Sequence, residues 1–206
     1  MSQAGYDYTT VGHVTADVSA DGSRRAGGSA FYSALQAARL GQRTLILTQG
    51  VPAEIEELLA PYREEFALEV LPAAQTTTLL TSGGGAARTQ RVLAWAGPMA
   101  QDLRLDTSIL HLAPVARESP SRWRGRADFV GLTPQGLVRA WSSSDPQIRQ
   151  VELAPELLPA RWGAIVISQT ERDSCAALIS SAGQDAGPRA GTGDRDRNAY
   201  AGPAVV

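Results

Sequence analysis

Lysine is absent from this sequence, so its positive charge is carried by arginine alone. That points to a GC-rich coding sequence. It does not point to a nucleic-acid surface, because Arg24-Arg25 and Arg122, Arg124, Arg126 are the only tight clusters and read as solvated faces. Cysteine is limited to Cys175, which excludes an internal disulfide and any cysteine-based metal cluster and fits a reducing compartment. His13 and His111 are the only histidines and show no ligand spacing, which argues against a metal hydrolase. No apolar run approaches the ~18 residues of a membrane-spanning helix, and the N-terminus lacks a basic segment followed by an apolar one. The chain therefore reads as soluble and cytoplasmic, with no membrane or nucleic-acid partner.

What remains is ordinary globular material. The 206 residues are 43% hydrophobic and 19% charged, with a net charge of -2, enough to bury one sizeable core. Tyr8–Val14 reads as a buried strand that delivers Asp17 just beyond its end. Asp21-Gly22 then marks a small hairpin between Asp17 and Gly27. Gly27-Gly28-Ser29 opens a helix over Ala30–Leu40, stopped by Gly41.

A strand over Thr44–Thr48 and a helix over Ala53–Tyr62 follow, the latter with Pro52 and three glutamates at its positive end. Strands are expected over 66–71, 76–81 and 89–95, then over Ile109–Ala113, Asp128–Leu132 and Ala164–Ser168, with a helix from Glu171 to about Ser181. The alternation predicts an α/β fold, a mainly parallel sheet with helices on both faces. From Gly187 onward the sequence has no Leu, Ile or Phe and neither periodicity, so 187–206 is expected to be an irregular tail appended to a domain over 1–186.

Gly27-Gly28 leading into an alanine-rich helix closed by Leu40-Gly41, preceded by a strand ending Gly12-x-x-x-x-Asp17, resembles the N-terminal signature of the ribokinase-like (PfkB) carbohydrate kinases. Ile165-Val-Ile-Ser168-Gln-Thr-Glu171 is similar to that family's strand followed by Asn-x-x-Glu. The resemblance runs from about Tyr6 to Ala182. It implies a small β lid over about 17–27, with the strands between 75 and 95 joining it. By the same resemblance Asp17, Gly27, Gly28 and Tyr32 contact a sugar, polyol or nucleoside, Tyr32 standing where much of the family has Asn.

Glu171 and Ser168 would serve the magnesium and phosphate network, with ATP as donor. Ser-x-x-Glu at a helix start is equally a capping box, and the sequence leaves both readings open. The family's later Gly-Ala-Gly-Asp helix start is matched only superficially, by Ala190-Gly-Thr-Gly-Asp194, followed by charged residues where an apolar helix should begin. Asp194 is thus a weak candidate for the catalytic base. The expectation is a chain truncated before its catalytic and ATP-binding segment, through a reading-frame shift near Gln184–Gly187. Such a chain would be a kinase or a noncatalytic polyol-binding or subunit-pairing remnant, with the lid or an exposed sheet edge pairing two copies.

Overall fold

A computed structural model describes residues 5–84, 88–185 and 204–205. The main sheet is parallel throughout, in the order β13-β12-β9-β8-β1-β4-β5. Its strands are β1 (Tyr8–Val11), β4 (Thr44–Gly50), β5 (Ala67–Pro72), β8 (Thr107–Leu112), β9 (Ala127–Leu132), β12 (Ala164–Ile165) and β13 (Ala204–Val205). A second sheet, in the order β3-β2-β6-β7, is built from β2 (Thr15–Val18), β3 (Arg24–Gly27), β6 (Thr78–Ser82) and β7 (Thr89–Ala94). A two-stranded ribbon, β10 (Arg139–Ala140) with β11 (Arg149–Gln150), lies beside it.

The near-continuous apolar reading of Thr44–Leu47 fits a strand buried on both faces, and every one of these residues is buried. Helix α1 (Ser29–Arg39) buries Ala30, Phe31, Ala34 and Ala37, a single helical stripe. The small residues let it approach the sheet, and Phe31 fills the gap to α2 (Pro52–Leu59). Its ring lies 4.9 Å from that of Tyr62 and 6.3 Å from that of Phe66. Burying that side chain contributes about 2–3 kcal/mol. The α1 C-terminus is closed as the sequence implies: Gly41 has φ +85° and donates to Ala38, while Gln42 donates to Ala37.

Helices α1 and α2 cover one face of the main sheet, with Val14, Ile46, Ile55 and Leu59 in the same cluster. The opposite face is covered by α3 (Ala176–Asp185) and by the segments around Leu137 and Leu153, which pack on Leu47, Leu110 and Leu112. None of the described helices is long and apolar enough to cross a membrane.

Several boundaries depart from the sequence reading. The strand expected over Tyr8–Val14 breaks after Val11, because the chain leaves the main sheet there. His13 N donates to Glu118 and Val14 N to Thr48 Oγ1 in place of ladder partners, and β2 begins the second sheet. The strand expected over Ala164–Ser168 ends at Ile165. Beyond one bond from Val166 N to Leu132 O its neighbour β9 has run out, and Val166 is exposed. The helix expected from Glu171 begins as a 3-10 turn at Asp173–Cys175 and becomes α-helical at Ala176. Within the segment expected to be irregular, Ala204–Val205 forms a parallel edge strand; 186–203, including Asp194, lies outside the described residues.

Candidate functional site

The C-terminal end of β1 feeds the Gly12-His13-Val14 crossing into the second sheet, and β3 returns to the glycine pair that opens α1. Asp17 and Gly27 sit on antiparallel strands two residues out of register, so they share a face. The Asp17 carboxyl lies directly over Gly27: a Cβ there would stand 2.3 Å from Oδ2. Gly28 has φ +95°, and a Cβ on it would stand 2.4 Å from the His13 carbonyl oxygen. The space that glycine frees is thus filled by the protein's own carboxyl and carbonyl groups. Thr15 Oγ1 donates to Asp17 Oδ1 at 2.7 Å, which leaves Oδ2 without a hydrogen bond among the described residues. Burial raises the Asp17 pKa, while the Thr15 hydrogen bond and the charges of Arg25, Arg88 and Arg139 pull against it.

The first residue of α1 reaches toward the other predicted cluster. Ser29 Oγ donates to Gln135 Oε1 and Gln135 Nε2 to Glu171 Oε1, both at 3.4 Å. Glu171 is buried and accepts further from Thr170 Oγ1 at 3.1 Å, from Ser168 N at 3.0 Å and from Ser168 Oγ. Burial works to raise its pKa, but these hydrogen bonds outweigh it, and the net shift is downward. Glu171 reaches back to Ser168 N as in a capping box, but the helical turn begins only at Asp173 with Arg172 as its N-cap, so the contact closes the turn before the helix. The same carboxylate faces Gln135 and, through it, the α1 N-terminus. Tyr32 lies apart from this chain of contacts: its hydroxyl donates to Ala26 O at 3.4 Å, and its half-exposed ring packs on Phe31.

The structure draws in residues that sequence reasoning did not place at the site. Glu118 is fully buried and accepts from His13 N at 2.8 Å, Val115 N at 2.8 Å and Ala116 N at 2.6 Å, tying the loop after β8 to the β1–β2 crossing. His13 is also fully buried. Its Nδ1 lies 2.7 Å from Thr77 Oγ1, which also accepts from Ala96 N. Arg139, 9% exposed, donates to Val115 O at 2.9 Å and to Gln90 Oε1 at 3.0 Å.

Replacing Glu118 by Gln keeps its size but turns an amide toward backbone donors that need an acceptor. The expected loss is about 2 kcal/mol of stability, read as a lower urea midpoint with an unchanged slope. An unchanged midpoint would show that the cradle contributes nothing.

Among the described residues no three His, Cys, Asp or Glu side chains are grouped to hold a metal ion, and both Glu171 oxygens accept hydrogen bonds from the protein. The described residues therefore do not themselves form a magnesium site. They place the half-buried Asp17 carboxylate, carried by the second sheet, against Gly27 and near the N-terminus of α1.

No protein-family model matches the sequence, and no curated protein matches it. Solved structures do. A pyrophosphate-dependent kinase in the ribokinase family, complexed with a pyrophosphate analog and myo-inositol, is similar at a TM-score of 0.66 and 18% identity, over 84% of this chain and 69% of that one. The ribokinase of Arabidopsis thaliana, complexed with ribose and ATP, is similar at 0.53 and 15% identity, over 82% and 62%. The nucleoside kinase of Methanocaldococcus jannaschii, an archaeal member of the ribokinase family, is similar at 0.51 and 13% identity, over 84% and 64%. With its parallel sheet, its second sheet rising from the end of β1 and its glycine pair at the start of α1, this chain has the ribokinase-like α/β fold.

Proposed function

We propose that this protein is a carbohydrate kinase of the ribokinase-like family, acting on a hydroxyl of a sugar, polyol or nucleoside. The observation that carries this reading is the Asp17 carboxylate. It is held by Thr15 over Gly27 at the rim between the two sheets, with one oxygen left to accept from an acceptor hydroxyl. The structural neighbours support the acceptor class, since they include complexes with myo-inositol and with ribose. On this reading the β3-β2-β6-β7 sheet is the lid over the acceptor. The phosphoryl donor is ATP with magnesium, or pyrophosphate as in the first of those neighbours. When bound, the donor supplies the electrophilic phosphorus. This chain's described residues bind and orient the acceptor hydroxyls and screen them from water.

A second reading is supported by the same face. The described residues include an acceptor-binding carboxylate but no glycine-rich turn that opens a helix next to an Asp placed to take the hydroxyl proton. Such a chain would bind a polyol without turning it over.

Phosphotransfer assays with ATP and with pyrophosphate, each with magnesium, against ribose, fructose, myo-inositol and nucleosides test both, with Asp17→Ala as control and calorimetric binding alongside. Turnover abolished by Asp17→Ala supports the kinase. Binding that depends on Asp17 without turnover supports the second reading. Neither turnover nor binding in a folded sample overturns both.

A further inference from the structure

The least explained group in the structure is the Arg139 guanidinium. It is more than nine-tenths buried at the junction of the two sheets, and each of its two hydrogen bonds goes to a neutral oxygen, Val115 O and Gln90 Oε1. A guanidinium has more N–H donors than those two contacts use. Burying a cation is costly unless an anion accompanies it, and a buried arginine is ordinarily paired with a carboxylate. Three carboxylates, Glu171, Glu118 and Asp17, are near enough to act on it electrostatically. Among the described residues none of them forms an ion pair with it.

Each of these acids is engaged elsewhere. Glu118 is saturated by backbone amides, Glu171 by Ser168, Thr170 and Gln135, and Asp17 is held by Thr15. The cation is meanwhile fixed in place. Val115 O belongs to the loop that Glu118 pins, and Gln90 is steadied by its own bond from Nε2 to Thr81 Oγ1 on the neighbouring strand. A positively charged fork is therefore held in place at the junction of the two sheets, within electrostatic reach of Asp17 and with N–H groups that its two contacts do not use. Arginine suits such a role because its planar N–H fork matches phosphate oxygens, while lysine offers only a point charge.

We propose that Arg139 binds the phosphate group of the phosphoryl donor or of the phosphorylated product, next to the acceptor hydroxyl held by Asp17. The proposal rests on the kinase reading for the identity of the acceptor, and it adds the residue that meets the anion. An anion arriving there supplies the counter-charge that the fold withholds.

The experiment is calorimetric titration of the full chain with magnesium-free pyrophosphate and, separately, with myo-inositol, for the wild type, Arg139→Lys and Gln90→Ala. Arg139→Lys is expected to weaken pyrophosphate binding by about tenfold or more, the range of a lost charge-assisted contact, while inositol affinity stays within twofold of wild type. Gln90→Ala removes the second-sheet contact but keeps the cation and its bond to Val115 O, and should weaken pyrophosphate binding clearly less than Arg139→Lys does; a purely structural role for Arg139 would make the two variants behave alike. Should Arg139→Lys not fold, the Nε–H resonance of Arg139 in the wild type gives the same answer, since pyrophosphate must shift it.

Pyrophosphate affinity unchanged in Arg139→Lys, or a resonance indifferent to pyrophosphate, overturns the proposal. A wild type that binds pyrophosphate through Arg139 but no acceptor leaves the anion site standing and removes the kinase reading instead.

Discussion

Replacing Asp17 by Asn is expected to lower the affinity for a polyol acceptor by about a hundredfold, the equivalent of one strong charge-assisted hydrogen bond, without lowering the melting temperature. The two halves of that expectation have one cause. Burial raises the carboxyl's pKa above the ordinary aspartate value, with Thr15 and three arginines opposing it. An acid whose pKa is higher in the folded state holds more protons folded than unfolded between its two pKa values, so stability declines as pH rises through that window. At neutral pH ionised Asp17 is a net cost to the fold, and Asn removes that cost while keeping one oxygen to accept from Thr15.

Acceptor binding has the opposite requirement, since the ionised carboxylate is the better acceptor for a hydroxyl proton. Wild-type affinity should therefore fall as pH drops through the raised pKa, while the weak binding of the Asn variant stays flat. Calorimetry over a pH series, with thermal melts of the same samples, measures both. A variant that binds normally would remove Asp17 from the site, and one that binds poorly but also melts early would make its role structural.

Asp17 could be picked out in the sequence because its nearest supports are local, although β2 also pairs with the distant β6. It lies in a short strand paired to its own hairpin partner, and Thr15, which holds it, is two residues away. The glycine pair was legible for the same reason, as was Gly41, whose helix-closing bonds span at most five residues. The identity of what fills the space beside the glycines was not legible: His13 O and the Asp17 carboxyl occupy it, where sequence reasoning puts a ligand.

Glu118 and Arg139 were missed because their partners are distant along the chain. His13 N and Glu118 are 105 residues apart, and Arg139 reaches Gln90 across 49. In the sequence Glu118 is one acid in an arginine-rich stretch, and Arg139 follows an apolar pair with no periodic signal. Only the crossing of the chain between two sheets makes the first a cradle and the second a buried cation. Glu171 falls between these cases. Its bond to Ser168 N is local, though it closes the turn before the helix where a cap at Ser168 was expected, while its link through Gln135 to Ser29 depends on β9 and α1 being brought together by the fold.

The crossing itself rests on Gly28, and Gly28→Ala is expected to be the most damaging small substitution in the described structure. The residue sits at φ +95° and ψ 143°, a region that side chains with a Cβ rarely adopt, at a cost of about 1–3 kcal/mol for the dihedral alone. The added methyl would also stand 2.4 Å from His13 O and 3.4 Å from Thr15 N, backbone atoms of the opposing crossing. Neither can retreat freely. His13 N is held by Glu118, the His13 ring by Thr77, and Thr15 pairs with Gly27 in the β2–β3 ladder. Clash and strain together should remove about 4 kcal/mol, which for a chain of this size is a fall of about 10 °C in the melting temperature. Gly22→Ala is the comparison: that residue also has a positive φ, of +82°, but its added methyl would meet nothing within 4 Å, so only the dihedral cost applies. A Gly28 variant that melts no lower than the Gly22 variant would show that the His13 backbone yields at little cost, and that the β1–β2 crossing is not the rigid support of Asp17 that its hydrogen bonds imply.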